Sequence, residues 1–202
     1  MEIRVRDTGQ VMFESEFRAY QQSIGGPTWD ITTHEILNDL GADPVLEGPQ
    51  VSGEFWQYSM RQGVEQIDGQ WFTKYVLGPI FTDRPATETE PAMTAAEQQA
   101  KWIAQKTAEK QKALQDSIVS AVEQRLNDFA KTRGYDDIKS ASDYAAQNAV
   151  PKFQVEGQYA LNQRAATWAK LYQMLAEVEA GTRPVPSGYD DIKSELPELV
   201  WP

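Results

Sequence analysis

From Thr94 to Arg133 the chain runs about forty residues without a proline or a glycine, and the first breaker is Gly134. A helix of that length spans roughly 60 Å at 1.5 Å per residue. That is long for a compact domain, so the helix is expected to project from one region or join two. Thr94-Ala95-Ala96-Glu97 supplies a capping box, in which Thr94 and Glu97 satisfy the free amides of the first turn. The pattern then changes along the run. Between Ala95 and Ala113 only Trp102 and Ile103 are large and apolar. From Leu114 onward Ile118, Val122, Leu126 and Phe129 recur every three or four residues, which marks a core-facing stripe. We expect an exposed helical stalk over 94–113 and a buried helix beyond it. A heptad seam around Trp102 and Ile103 would be short and weak.

Before this run the chain alternates between short elements. Glu2–Arg6 places Ile3 and Val5 on one face of a strand, and Ser15–Gln22 reads as a helical turn or two closed by Gly25-Gly26-Pro27. Asp30 or Thr32 can cap a second short helix carrying Ile36, Leu37 and Leu40, which Gly41 ends. Glu54–Met60, Val64–Ile67 and Gln70–Leu77 read as three strands of an antiparallel meander. Asp68-Gly69 supplies the preferred two-residue turn between the last two. Residues 79–93 hold Pro79, Pro85 and Pro91 without apolar periodicity, the pattern of a semi-extended linker.

After Gly134 the pattern is helical. Asp136–Asn148 is expected as a short helix and Phe153–Ala180 as a long one, with Gly157 as a flaw near its start. Trp168, Ala169, Leu171, Tyr172, Met174, Leu175 and Val178 cover much of its circumference, which predicts the central, well-buried helix of a small bundle. Pro184, Pro186, Pro197 and Pro202 exclude a helix from the tail, whose Leu196, Leu199, Val200 and Trp201 suit an extended strap. One heptapeptide occurs twice, as Gly134–Ser140 and Gly188–Ser194. It is read as a local anchor, with Tyr and Ile for packing and an Asp pair for a helix start. It lacks the spacing of a calcium loop. The expected class is therefore α+β. A small mixed domain (1–78) precedes the linker (79–93), the stalk (94–113) and a C-terminal helical domain with an extended tail (114–202).

Charge narrows the functions. The 202 residues carry 19 Lys and Arg against 30 Asp and Glu, a net of −11. Residues 1–93 hold six and fifteen of these, and residues 94–202 hold thirteen and fifteen. Neither half offers the cationic footprint that a nucleic acid or an anionic membrane surface demands. No apolar run reaches the length of a membrane helix, and Met1–Asp7 lacks the apolar stretch of a signal peptide. With no cysteine and one histidine, thiol catalysis, disulfide frameworks and sites needing two imidazoles are excluded. His34-Glu35 is a fragment of a zinc motif, but Asn38 stands where the second His belongs. There is no Gly-x-Ser-x-Gly and no phosphate-binding glycine loop. A pair of carboxylates can hydrolyse a glycoside, but nothing singles out a pair. No catalytic, cofactor-binding or metal-binding residue is expected.

The aromatic residues are more informative. Phe55, Trp56, Tyr58, Trp71, Phe72 and Tyr75 fall within 21 residues on the proposed strands. Strand alternation puts Trp56 with Tyr58 and Trp71 with Tyr75. A small sheet cannot bury both faces behind one or two short helices, so part of this set is expected to meet a partner. Trp56, Tyr58, Trp71, Tyr75, Trp102, Ile103 and Trp201 are the expected contact residues.

Two stretches carry a resemblance. Ile36–Asp43 and Gly63–Tyr75 resemble a recurring segment of small proteins encoded near tail fibre genes in tailed phages. Arg125–Ala130, Arg133–Tyr135 and the stretch from Thr167-Trp168 to the Leu-Pro-Glu-Leu-Val-Trp-Pro ending look like a helical domain of phage tail fibre and tail-fibre-assembly proteins. The resemblance implies a non-enzymatic component that binds tail fibre or baseplate proteins, made in the host cytoplasm and resident in the virion tail. A fibre-assembly chaperone absent from the finished particle is the alternative, and a glycan-binding module a further one. The resemblance brings no catalytic residues and no cofactor. It allows a homo-oligomer, a trimer included, and the heptad pattern fixes no number.

Overall fold

The clearest turn in the sequence forms as expected. Asp68 and Gly69 both adopt positive φ (50° and 82°) and join two antiparallel strands, Tyr58–Ile67 and Gln70–Gly78. The meander, however, has two strands rather than three. Met60 and Val64 belong to one strand, and the break expected between them is an irregularity between Arg61 and Val64. Gly63, at φ 79°, absorbs the one extra residue of β4 as a bulge instead of reversing the chain.

This hairpin is one side of a larger sheet in a computed structural model that describes residues 1–146 and 150–202. Its strands are β1 (Glu2–Val5), β2 (Val11–Phe13), β3 (Ala42–Leu46), β4 (Tyr58–Ile67) and β5 (Gln70–Gly78), in the order β2-β1-β3-β5-β4. All pairings are antiparallel except β3 with β5. β2 and β3 gave little sequence signal, because three residues cannot show an alternation and Pro44 interrupts the other. The remaining elements are helical: α1 (Glu14–Ser23), α2 (His34–Asp39), α3 (Ala95–Lys131), α4 (Ile138–Asp143) and α5 (Pro151–Glu179), then 3₁₀ turns at Tyr189–Asp191 and Lys193–Glu195. The chain is α+β, with two compact units, Met1–Lys106 and Thr107–Pro202. The boundary falls within α3.

In the first unit, α1 and α2 cover one face of the sheet. Ile3 and Val5 meet Phe17, Leu37 and Ala42 in a core bordered by Met12, Tyr20, Trp29 and Leu40. Thr33, not Asp30 or Thr32, caps α2, its hydroxyl accepting from the Ile36 amide. Thr32 is engaged elsewhere: it accepts from Trp29 Nε1 at 2.8 Å and donates to Glu14. The proline-rich stretch 79–93 is tied to its own unit. Arg84 and Met93 exchange backbone hydrogen bonds, and Asp83 accepts from the Ala95 amide at 2.7 Å. The capping box forms, with Thr94 N donating to Glu97 and Glu97 N donating to Thr94 Oγ1.

The second unit is built on Ile118, Val122, Leu126 and Ala130 of α3, spaced four residues apart on one stripe. The short helix is α4, Ile138–Asp143. It is shorter than the expected Asp136–Asn148, whose end lies outside the described residues. Gly157 is no flaw: it is buried where α5 crosses α4. Both copies of the heptapeptide anchor this core, through Ile138 (5 % exposed) and Ile192 (2 %). Their local structures differ. Asp137 caps α4 by accepting from Ser140 N at 2.6 Å, whereas Asp191 turns back to accept from Ser187 N and Oγ, both at 2.7 Å. Among the described residues no helix is long and apolar enough to cross a membrane.

Candidate protein-binding surfaces

The sheet face opposite α1 and α2 carries Trp71 and Tyr75, on the same side as the alternation requires. Neither ring is unoccupied. The Arg4 guanidinium lies 3.9 Å from the Trp71 ring centre. Tyr75 donates its hydroxyl to Glu47 at 2.5 Å, and that bond pushes its pKa above the ordinary tyrosine value. Arg61 bridges to Glu2 with two bonds of 2.5 and 2.6 Å, while Arg6 reaches Asp43 at 2.8 Å. The second face of the sheet is thus finished by alternating charge pairs over half-buried aromatic rings. Sequence alternation could locate the rings but not these long-range partners.

Trp56 and Trp102 meet. Trp102 donates its indole N–H to the Trp56 carbonyl at 2.9 Å, and Lys106 lies 4.7 Å from the Trp102 ring centre. Trp102 and Ile103 are both half-buried within the first unit. Trp56 is itself not in a strand. The residues left exposed lie nearby in the sequence: Tyr58 is 50 % exposed, and Leu77 and Ile80 are also uncovered.

Trp201 is taken up by its own unit. It stacks on Phe129 with ring centres 4.3 Å apart, sits against Tyr135 and Tyr159, and donates to Thr132 Oγ1 at 2.9 Å. The tail docks as the expected strap, with Leu196 buried and Arg125 donating to the Pro197 carbonyl at 2.7 Å. Beneath it, Glu156 is 4 % exposed and accepts from Arg133 and from the Tyr135 hydroxyl, each at 2.8 Å. Burial and then that bond push the Tyr135 pKa up to about 12. A raised tyrosine pKa gives stability that is complete below the unfolded value near 10 and is lost as pH rises toward 12. The Tyr135→Phe protein is therefore expected to lose less stability between about pH 10 and 12 than the parent. Denaturant titrations across that range check it, and parallel curves would contradict it.

A wide apolar opening also lies in the second unit. A groove of about 810 Å³ runs between α3, α5 and the tail, with Ile118, Met174 and Ile192 at its floor. Its apolar walls include Leu114, Leu171 and Tyr172. This corrects the expectation of a well-buried α5. Only one side of α5 is covered, through Glu156, Gly157, Ala160, Thr167 and Met174. Tyr172 is 68 % exposed and Leu161 41 %. The sequence held the clue, because helix apolar around most of its girth exceeds what the other helices here can cover. Among the described residues no group of three or more His, Cys, Asp or Glu side chains is placed to hold a metal ion. Compared with protein-family models, with curated proteins and with solved structures, the chain has no match.

Proposed function

We propose that this chain is a non-enzymatic phage tail protein that binds tail fibre or baseplate proteins as a structural connector in the virion tail. One observation carries the reading: each of the two units keeps an uncovered apolar surface. In the first these are the exposed side chains Tyr58, Leu77 and Ile80 at one end of the β4–β5 hairpin, Tyr58 and Leu77 on opposite faces of it, and in the second the α3–α5 groove. Two such surfaces on one chain suit a part that holds two neighbours. The resemblance of Gly63–Tyr75 and of the C-terminal stretch to tail-locus proteins names the neighbours. The glycan reading has less support, because the Trp71 face on which a sugar would stack already carries Arg4.

The test is mass spectrometry of purified mature particles, with the fibre protein co-expressed as a control. Stoichiometric presence in particles is the result expected of a connector. Capture by the fibre protein without presence in particles would make the chain an assembly chaperone instead. Trp71 and Trp102 are poor probes of binding, since their internal partners make either substitution a folding perturbation as well. Tyr58→Ala is the cleaner probe. It is expected to weaken capture of the tail partner by about tenfold or more, the loss of an exposed aromatic anchor, with the unfolding midpoint nearly unchanged.

A further inference from the structure

We propose that the outer face of α5 is a self-association surface, on which a second copy of this chain packs its own α5 antiparallel across a two-fold axis. The inference bears on the tail reading, because Trp168, Tyr172 and Leu175 of this face also line the α3–α5 groove, so a second copy of the chain is the neighbour that groove holds.

The face is continuous. Leu161, Ala165, Trp168, Tyr172 and Leu175 succeed one another at alternating spacings of four and three residues, the spacing that keeps one side of a helix toward a neighbour. Ala169 and Ala176 flank the stripe and let a second helix approach closely. Arg164 stands toward one end and Glu179 toward the other, and both are exposed. Among the described residues neither has an ion-pair partner. The charges that lie between them in sequence are turned away: Lys170 lies 3.9 Å from Glu195, and Glu177 lies 3.7 Å from Arg183.

The order of these residues selects the partner and its direction. Arg164 and Glu179 are equidistant from the point midway between Leu171 and Tyr172, and so are Trp168 and Leu175. An antiparallel second α5 centred there sets each Arg164 beside the partner's Glu179 and each Trp168 beside the partner's Leu175. A parallel copy would set like charges together over the same roughly 22 Å, the length of fifteen helical residues. The surface is thus complementary to itself in one orientation, as a closed two-fold pairing requires. Self-repulsion is small here, because residues 94–202 carry only two of the eleven net negative charges. The incoming helix also fills the groove over Ile118 and Met174.

Sedimentation equilibrium of the full chain is the first measurement, with a mass twice 22.8 kDa expected at micromolar concentration. Tyr172→Glu is expected to give a monomer with an unchanged circular dichroism spectrum, since most of that side chain touches only solvent. Arg164→Glu and Glu179→Arg are each expected to weaken the dimer about tenfold or more, because each places like charges together at both ends of the pair. Mixing those two single variants is expected to give a mixed dimer, and combining both substitutions in one chain to restore self-association. A wild-type monomer at about 100 μM, a trimer, a dimer that survives Tyr172→Glu, or single variants that fail to pair with each other would each overturn the proposal.

Discussion

Gly157→Ala is expected to lower the unfolding midpoint by about 10 °C, although alanine is the better helix former. A Cβ at this position would stand 2.5 Å from the Tyr144 carbonyl carbon and 3.0 Å from the Ala141 carbonyl oxygen. Both atoms belong to the backbone at the end of α4, so no side-chain rotation relieves the clash. Alanine gains about 1 kcal/mol in helix propensity over glycine. Forcing a methyl into a filled site costs about 1–3 kcal/mol, and more where backbone must shift. With repulsion on three main-chain atoms, including the Ala145 amide nitrogen, the clash wins by about 2 kcal/mol. A domain of this size shifts roughly 4–8 °C for each kcal/mol. A thermal melt followed by circular dichroism decides it, and a midpoint above that of the parent would mean that the two helices separate at little cost.

Removing the cation above Glu156 is expected to be similarly damaging. Arg133→Ala leaves a carboxylate that is 4 % exposed with the Tyr135 hydroxyl and a Lys152 ammonium 3.9 Å away. Breaking a buried pair from one side costs about 3–5 kcal/mol. Lys152 can recover part of that, so a loss of about 2–3 kcal/mol is expected. Arg133→Lys should fall between, because an ammonium cannot reproduce the planar fork or its stacking toward Trp201. The diagnostic is the double variant. Arg133→Ala with Glu156→Ala should be less unstable than the sum of the singles by about 1 kcal/mol or more. Additive losses would show that Arg133 acts through packing alone.

Local signals in this sequence were strong and distant ones weak. The Asp68-Gly69 turn, the capping box at Thr94 and the stripe from Ile118 to Leu126 each depend on residues within a few positions, and each forms as read. Strand β3 carries little local signal because its pairing with β1 and β5 is set by residues as far away as Glu2 is from Val45. The bulge at Gly63 stands where the sequence predicts a break between two strands, because a glycine between two apolar runs serves either purpose. Trp71 and Trp201 are expected from the sequence as partner contacts, whereas in the structure Arg4 and Phe129, both distant in sequence, occupy them. Glu156 gave no signal, since one acidic residue in a helix does not announce an arginine 23 positions earlier. The uncovered side of α5 was legible as an excess of apolar residues and misread as burial.

The docking of Trp201 against Phe129 bears on the order in which the chain acquires its shape during synthesis. Trp201 bonds to a carbonyl 72 positions earlier. At about 5–20 residues per second the ribosome takes roughly 4–14 s to make that stretch. Through that interval the Phe129 ring and the end of α3 have no strap over them, while the sheet of the first unit is already fully translated. The amino-terminal unit can therefore mature first, and the helical unit stays adhesive until its tail emerges. That interval is when a chaperone or a nascent neighbour has access to the helical core.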